Sequence, residues 1–159
     1  SRKYLTGEAG RRIDIGYVGS IDGVNAKILK LLCESDTILV IAPIARDRAS
    51  GKLNCNADTA AGEVAAAVKA EKLVMVSDTH GIRENPADPE SFRPSMNRAE
   101  IQDFIQKGII GKGMLPKVEA CLRALDAGCN KAHIVDGRIP HSLLLEIFTD
   151  KGVGTQIQH

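Results

Sequence analysis

Two asparagines and an aspartate alternate at the front of an alanine-rich segment, LNCNADTAAGEVAAAV, from Leu53 to Val68. Alternate residues of an extended segment point the same way, so Asn54, Asn56 and Asp58 share one side. Such side chains cap helix N-termini by accepting hydrogen bonds from free N–H groups. A polar row beyond a strand end, beside the positive end of a helix, is also how α/β proteins build ligand sites. Both interpretations stay open here, and the segment by itself favours the cap.

Two further stretches are expected at strand ends, where α/β proteins bind ligands. In VSDTHGI, Val76–Ile82, an apolar segment runs out into polar residues and a glycine. In GIIGKGMLPKVEA, Gly108–Ala120, glycines precede a helix with Lys117 in its first turn, an arrangement that favours phosphate. The same glycines also fit an ordinary connection between two helices. These glycines do not have the GxGxxG spacing, and the motif GxxxxGK[ST] occurs nowhere in the sequence. A dinucleotide-binding or P-loop site therefore has little support.

Two histidines, His133 and His141, flank the segment Asp136–Arg138. The sequence offers no third ligand at a suitable spacing, which argues against a metal site. His133 is equally well explained as a hydrogen-bonding residue at a strand end. The Asp-Gly-Arg segment is typical of a turn, with Arg138 as a surface charge.

Composition narrows the class of protein. The 159 residues are 43% hydrophobic, enough for one core, so a single domain over residues 1–159 is expected. A net charge of +1 predicts no nucleic-acid or anionic-membrane partner, and no apolar run approaches the roughly 20 residues of a membrane span. Aromatic residues make up 3%, which predicts an aliphatic core. The four cysteines form no CxxC pair and are expected to be reduced and buried: Cys33, Cys55, Cys121 and Cys129.

Strand-like and helix-like segments alternate along the chain. Three β-branched or apolar runs predict buried strands: Thr37–Ile44, Lys72–Thr79 and Lys131–Gly137. This alternation predicts an α/β fold, a three-layer α-β-α sandwich with a mainly parallel sheet. The carboxyl ends of the strands should bring Asn54, Asp58, Ser77 and Lys117 to one edge of the sheet.

Apolar residues at helical spacing predict the helices between these strands. They are Val24, Ile28, Leu31 and Leu32; Val64, Ala67 and Val68; Ile101, Phe104 and Ile105; Val118, Cys121, Leu122 and Leu125, ended by Gly128; and Leu143–Phe148. Arg46–Lys52 predicts a hairpin turn, the proline-containing Arg83–Pro94 a surface loop, and Gly152 with Gly154 a tight turn before the last strand. The opening SRKYLTGEAGRR is basic and is expected to be irregular.

Several of these motifs together resemble one enzyme family. They are LNCNADTAAGEVAAAVKAEKLVMVSDTHGI, GMLPKVEA and HIVDGRIPHSLLLEIFTDKGVGTQI, preceded by DIGYVGSIDGVN. Their order and spacing resemble the carboxyl-terminal half of the acetylglutamate kinases, in the amino acid kinase family. The resemblance covers nearly the whole chain. It implies an amino acid kinase (carbamate kinase-like) fold and ATP-dependent phosphorylation of the side-chain carboxylate of N-acetyl-L-glutamate, in arginine biosynthesis.

The resemblance also implies roles for individual residues. Asn54 and Asn56 would contact the acyl-amino-acid substrate. Lys117 would stabilise charge on the transferring phosphoryl group, and Asp58 would hold lysines through ion pairs. The implied nucleotide-binding residues are Ser77, Asp78, Thr79, Gly81, Ile82, Arg83, Ile109, Ile110, Gly111, Gly113 and Met114. ATP with Mg²⁺ would be a substrate, with no tightly bound cofactor.

Regulation and assembly follow from the same resemblance. In arginine-inhibited members the terminal region forms the effector site, which implies a possible L-arginine site at His133, His141 and Glu146. The parent enzyme would be a homo-oligomer in the cytoplasm, or in an organelle stroma or matrix.

The family's amino-terminal features are not recognisable in this sequence. Members carry a lysine followed by glycines near the first strand, then a glycine-rich loop and an arginine that hold the substrate carboxylates. Lys3 does not stand in such a context. We therefore expect the amino-terminal substrate lobe to be absent and this chain alone to be inactive. The alternatives are a non-catalytic nucleotide- or arginine-binding regulatory module of the same fold, or another acyl-amino-acid kinase.

Overall fold

The computed structural model describes residues 1–47, 49, 51–85, 87–150 and 152–159. Its helices are α1 (Ala26–Cys33), α2 (Ala57–Val68), α3 (Arg98–Gln106), α4 (Leu115–Asp126) and α5 (Ser142–Phe148). Its strands are β1 (Arg2–Thr6), β2 (Arg12–Gly19), β3 (Ile44–Asp47), β4 (Gly51–Asn54), β5 (Lys72–Ser77), β6 (Ile82–Arg83), β7 (Phe92–Arg93), β8 (Ser95–Asn97), β9 (Lys131–Asp136) and β10 (Thr155–Gln158).

One four-stranded sheet, in the order β5-β9-β10-β8, carries the core. β5 pairs with β9 in parallel, with Ser77 opposite Asp136. β10 pairs with β8 in parallel and with β9 antiparallel. The predicted parallel strands at Lys72 and Lys131 are therefore confirmed, although β5 lies at the sheet edge rather than in its centre. Because β5 and β9 end at the same level, the residues that follow them meet beyond the carboxyl ends of these two strands.

Helices cover both faces of this sheet. Ala132 and Ile134 of β9 belong to the same buried cluster as Val118 and Leu125 of α4. His133, between them, contacts α5 through Glu146. Neighbouring residues of a strand point to opposite faces, so α4 and α5 lie on opposite sides of the sheet. The predicted three-layer α/β architecture is confirmed.

α2 packs against α4 through small residues. A Cβ atom added to Gly62 would lie 2.9 Å from the Cα of Ala120, so the helices approach too closely for a larger side chain. Gly62, Ala65 and Ala66 are the buried residues of α2. The predicted stripe of Val64, Ala67 and Val68 is only half-buried, and that prediction was wrong about the face. Small residues, rather than the largest apolar ones, form this contact.

The segment Thr37–Ile44 differs most from its prediction. A strand begins only at Ile44, and Ile38 and Val40 are 92% and 96% exposed. An apolar run forms a buried strand only where neighbours satisfy its backbone and cover its faces. Among the described residues no strand pairs with Thr37–Ala42, so the prediction of a buried strand here was wrong.

A second sheet has the order β1-β2-β4-β3. β2 and β4 are parallel, whereas β1 pairs with β2 and β3 with β4 antiparallel. The hairpin predicted for Arg46–Lys52 is confirmed by its strands, while Arg48 and Ser50 in its turn lie outside the described residues. The opening segment forms β1 and was wrongly expected to be irregular.

The remaining elements agree with the sequence to different degrees. The α4 stripe is buried and Gly128 follows the helix with φ +99°, as predicted. α1 and α5 form, yet most of their apolar residues are exposed, including Ile28, Leu31 and Phe148. Within Arg83–Pro94, β6 and β7 pair antiparallel, so the predicted loop is partly a short hairpin, and Pro86 lies outside the described residues.

The cysteines are free, and three are buried, but Cys33 is exposed, contrary to prediction. No helix in the described part of the chain has the length and apolar character needed to cross a membrane.

Candidate functional site

A cavity of about 340 Å³ opens at the sheet edge where β5 and β9 end. Its walls come from the loop after β5, the connection between α3 and α4, and the turn after β9. The lining residues are Asp78, Thr79, His80, Gly81, Ile82, Arg83, Ile109, Ile110, Met114 and Arg138. It therefore has an apolar side and a polar side, the usual character of a small-molecule site.

The loop after β5 is held rigidly by β10. Gly81 has φ +61°, and a Cβ atom there would lie 2.6 Å from Thr155 Oγ1 and 2.7 Å from the Phe92 ring. The next residue, Ile82, donates its N–H to Thr155 Oγ1 at 2.8 Å, and that hydroxyl donates to the Arg93 carbonyl at 2.7 Å. Thr155 is fully buried. The fixed loop gives the cavity a preformed polar wall.

Three of the predicted nucleotide residues lie outside the cavity lining. Ser77 lies at the end of β5, with its Oγ 3.2 Å from Thr79 Oγ1, so it supports the loop. Gly111 accepts hydrogen bonds from the Met114 and Leu115 N–H groups and so starts the turn into α4, which also contains Gly113.

Arg83 lines the cavity as a residue, but its Nε atom is not exposed there. The Nε is buried from solvent and has no hydrogen-bond partner among the described residues. Buried polar atoms in proteins are normally paired, so this donor is an exception within the loop.

The alternating Asn54, Asn56 and Asp58 separate into different environments. Asn56 caps α2, since its Oδ1 accepts hydrogen bonds from Thr59 N–H at 2.9 Å and Thr59 Oγ1 at 3.1 Å. Asn54 ends β4, opposite Val18 and Ile44, and is exposed. Asn56 therefore satisfies the cap, and Asp58 is available for another contact.

Asp58 forms an ion pair with Lys117. The Lys117 Nζ lies 2.9 Å from Asp58 Oδ2, and the two side chains are 19% and 21% exposed. Asp58 lies in the first turn of α2 and Lys117 in the first turn of α4, so the packing of these helices brings the pair together. Lys117 does not line the cavity, but it follows Met114, which does, by three positions. A partly buried lysine thus stands at a helix N-terminus about one turn after a cavity residue.

His133 and Glu146 form a second, more deeply buried pair. Nδ1 of His133 lies 2.7 Å from Glu146 Oε1, with the side chains 7% and 4% exposed. Glu146 Oε2 accepts hydrogen bonds from the Val153 and Gly154 N–H groups, both at 2.8 Å. Glu146 thus fixes the predicted turn at Gly152 and Gly154 before β10. Lys151, which precedes this turn, lies outside the described residues. His141 precedes α5, is exposed, and makes no side-chain cap to it.

Glu146 should make stability depend on pH. Burial raises its pKa, but the His133 hydrogen bond and the two N–H groups outweigh this, so the pKa lies below its ordinary value of 4.5. The stabilisation is present above pH 4.5 and is lost as pH falls through the lowered value. We expect Glu146→Gln to lower the free energy of unfolding by about 2 kcal/mol at neutral pH and to flatten its fall in acid.

Urea unfolding across a pH series measures both effects. Glu119→Gln is the matched control, because Glu119 is exposed on α4. An unchanged pH dependence in Glu146→Gln would show that Glu146 does not provide this stabilisation.

Sequence reasoning missed the role of Arg138. Its Nε and Nη2 donate to Asp136 Oδ1 and Oδ2 at 2.9 and 2.7 Å, and its side chain lines the cavity. These hydrogen bonds lower the pKa of Asp136 to about 2. Arg138 is a surface charge, as expected, with its side chain 67% exposed, and in addition Asp136 holds it at the cavity wall. The available signal was Asp136 itself, a carboxylate at the end of a predicted buried strand.

Known proteins resemble this chain in sequence. A family model described as "Amino acid kinase family" matches residues 1–136. The chain belongs to the amino acid kinase family.

Individual curated relatives are acetylglutamate kinases. The chain is 48% identical over 150 residues to the acetylglutamate kinase of Methanothrix thermoacetophila, a match that covers 94% of this chain and 52% of that protein. It is 51% identical over 143 residues to the Synechococcus elongatus acetylglutamate kinase, covering 90% and 48%. The chain thus spans about half the length of these relatives.

Solved structures show the same amino acid kinase fold. N-acetylglutamate synthase from Neisseria gonorrhoeae, complexed with coenzyme A and L-arginine, superposes with a TM-score of 0.82 at 24% identity, over 99% of this chain and 36% of the synthase. Carbamate kinase from Giardia lamblia, bound to AMP-PNP, gives 0.69 at 21% identity, over 99% and 52%. At these identities the likeness concerns the fold alone.

Proposed function

We propose that this chain is the nucleotide-binding part of an acetylglutamate kinase. The reaction of the whole enzyme is attack by the side-chain carboxylate of N-acetyl-L-glutamate on the γ-phosphorus of ATP, with release of ADP. Support comes from the curated relatives, which are acetylglutamate kinases, from a cavity where β5 and β9 end, and from an ion pair between the first turns of α2 and α4. Mg²⁺ arrives with ATP as part of the substrate.

The cavity is proposed to hold the adenosine part of ATP. Ile82, Ile109, Ile110 and Met114 provide apolar surface for a base, and Asp78 and Thr79 provide polar groups for a ribose. In this arrangement the nucleotide lies across the carboxyl ends of β5 and β9, where open α/β sheets bind ligands.

The Lys117–Asp58 pair carries the proposal of phosphoryl transfer. Such transfer depends on positioning and on stabilising negative charge, and it needs no covalent step by the protein. Lys117 at the start of α4 adds its ammonium group to the positive end of the helix. Asp58 holds that ammonium in place at 2.9 Å. The γ-phosphoryl group is therefore proposed to lie next to Lys117 during transfer.

Asn54 and Asn56 are proposed to contact acetylglutamate. Asn56 uses its Oδ1 for the helix cap, which leaves its Nδ2 group as a donor. Asn54 is exposed at the end of β4, two residues earlier. Asn54 ends β4 and Asn56 caps α2, so both precede Asp58, which lies in the first turn of α2.

A chimeric enzyme tests the proposal. The 143-residue matching segment of the Synechococcus elongatus acetylglutamate kinase is replaced by this chain, and ADP release is followed with and without N-acetyl-L-glutamate. We expect acetylglutamate-dependent turnover, with L-glutamate and L-aspartate as poor substitutes. A folded chimera that releases no ADP with acetylglutamate would contradict the proposal.

The L-arginine effector at His133, His141 and Glu146 stays a prediction. Both carboxylate oxygens of Glu146 are occupied by His133 and by the turn before β10. His141 does not join the pair among the contacts described. A guanidinium group would therefore have to use the remaining acceptor site of Oε1, or displace one of these three donors, to reach Glu146.

A further inference from the structure

The turn after β9 lies directly against the end of β5. Gly137 donates its N–H to the Ser77 carbonyl at 2.8 Å. A Cβ atom on Gly137 would lie 2.5 Å from Val76 Cγ1, so glycine lets the turn approach β5 this closely. The loop that begins at Asp78 starts one residue after Ser77. Arg138 is thereby fixed beside the polar wall of the cavity.

Asp136 fixes the direction of the Arg138 guanidinium. Asp136 Oδ1 accepts hydrogen bonds from the Arg138 N–H at 3.0 Å and from Nε at 2.9 Å, and Oδ2 accepts one from Nη2 at 2.7 Å. The Asp136 side chain is 6% exposed, whereas that of Arg138 is 67% exposed. A buried carboxylate thus anchors one edge of a guanidinium whose other edge is open to the cavity.

The remaining donors of Arg138 indicate which ligand group it suits. A guanidinium has five N–H groups in a planar fork. Asp136 accepts hydrogen bonds from the single N–H on Nε and from one N–H on Nη2. The N–H groups that Asp136 leaves free can donate hydrogen bonds to acceptor atoms of a ligand in the cavity. Ring nitrogens of a base and ribose oxygens are such acceptors, and apolar walls for a base lie in the same cavity.

We infer that Arg138 is a nucleotide-binding residue that contacts the adenosine moiety through the N–H groups that Asp136 leaves free. This inference rests on the proposed function, since it assigns a contact within the proposed ATP site. It also gives the Asp-Gly-Arg turn a part in binding: aspartate anchors, glycine allows the approach to β5, and arginine reaches the ligand.

Calorimetric titration of the chain with MgATP and, separately, with adenosine tests the inference. We expect Arg138→Met to weaken the binding of both ligands by a similar factor, roughly tenfold or more. Arg138→Lys should behave like Arg138→Met, because lysine keeps the charge but lacks the planar fork. Arg123→Met is the matched control. Arg123 lies in the last turn of α4 and makes an equivalent two-point contact with Glu63 of α2. Its loss should leave both affinities unchanged.

The outcomes separate this inference from the proposed function. If the folded wild-type chain binds neither ligand, the proposed nucleotide site is wrong and the inference falls with it. If the wild type binds MgATP and Arg138→Met binds it equally well, the inference alone is wrong. A loss for MgATP with unchanged adenosine affinity, or full rescue by lysine, would mean that Arg138 contacts phosphate, which also contradicts the inference.

Discussion

Replacing Lys117 by alanine in the chimeric enzyme is expected to lower kcat by about 100-fold or more. Removing one preorganised donor to developing charge typically costs roughly 3 kcal/mol of transition-state stabilisation. Lys117 combines an ammonium group, a helix N-terminus and an ion pair with Asp58. Steady-state rates at saturating MgATP and N-acetyl-L-glutamate measure the effect. Saturation matters, since a change confined to KM would indicate a role in binding rather than in transfer.

Arg123→Ala provides a control on the same pair of helices. Arg123 of α4 pairs with Glu63 of α2 at 2.9 Å, as Lys117 pairs with Asp58, but farther from the cavity. If both substitutions leave kcat close to that of the unmodified chimera, Lys117 serves only to join α2 to α4. If both lower it equally, the loss comes from helix packing and not from chemistry.

The site was predictable where its parts are local in sequence. β5 and β9 are apolar runs whose neighbours lie within the described chain, and the α4 stripe is buried as its spacing predicts. The loop Asp78–Arg83 follows β5 directly, so it reaches the cavity wherever β5 ends. Such elements can be predicted from local sequence, because the hydrophobic periodicity and the residues that end the strand lie in one continuous segment.

Other parts depend on contacts between distant segments. The position of Arg138 beside the loop that follows β5 depends on the register that places Asp136 opposite Ser77, and no local pattern encodes that register. The face of α2 is set by the approach of Ala120 to Gly62, which favours small residues over the largest apolar ones. Thr37–Ile44 shows the converse. Its apolar pattern is typical of a buried strand, but pattern alone cannot provide the neighbours that a strand requires.

This chain by itself is expected to bind MgATP and to phosphorylate nothing. Binding is expected because the walls of the cavity, including the loop fixed by Thr155 and the side chain of Arg138, all belong to the chain. The affinity should be modest, since the cavity is open and the phosphates have few recognisable partners beyond Lys117. Calorimetric titration with MgATP should show saturable binding.

Catalysis by the isolated chain should fail for a reason of geometry. In-line transfer requires the acetylglutamate carboxylate to be held against the γ-phosphorus, and positioning and charge stabilisation act together rather than additively. The chain spans about half the length of its acetylglutamate kinase relatives and lacks a recognisable lysine-glycine strand and a carboxylate-holding loop. A coupled assay of ADP release with N-acetyl-L-glutamate should therefore stay at background, while the same chain within the chimera turns over. Acetylglutamate-dependent ADP release by the isolated chain would show that Asn54, Asn56, Asp58 and Lys117 suffice to position both substrates.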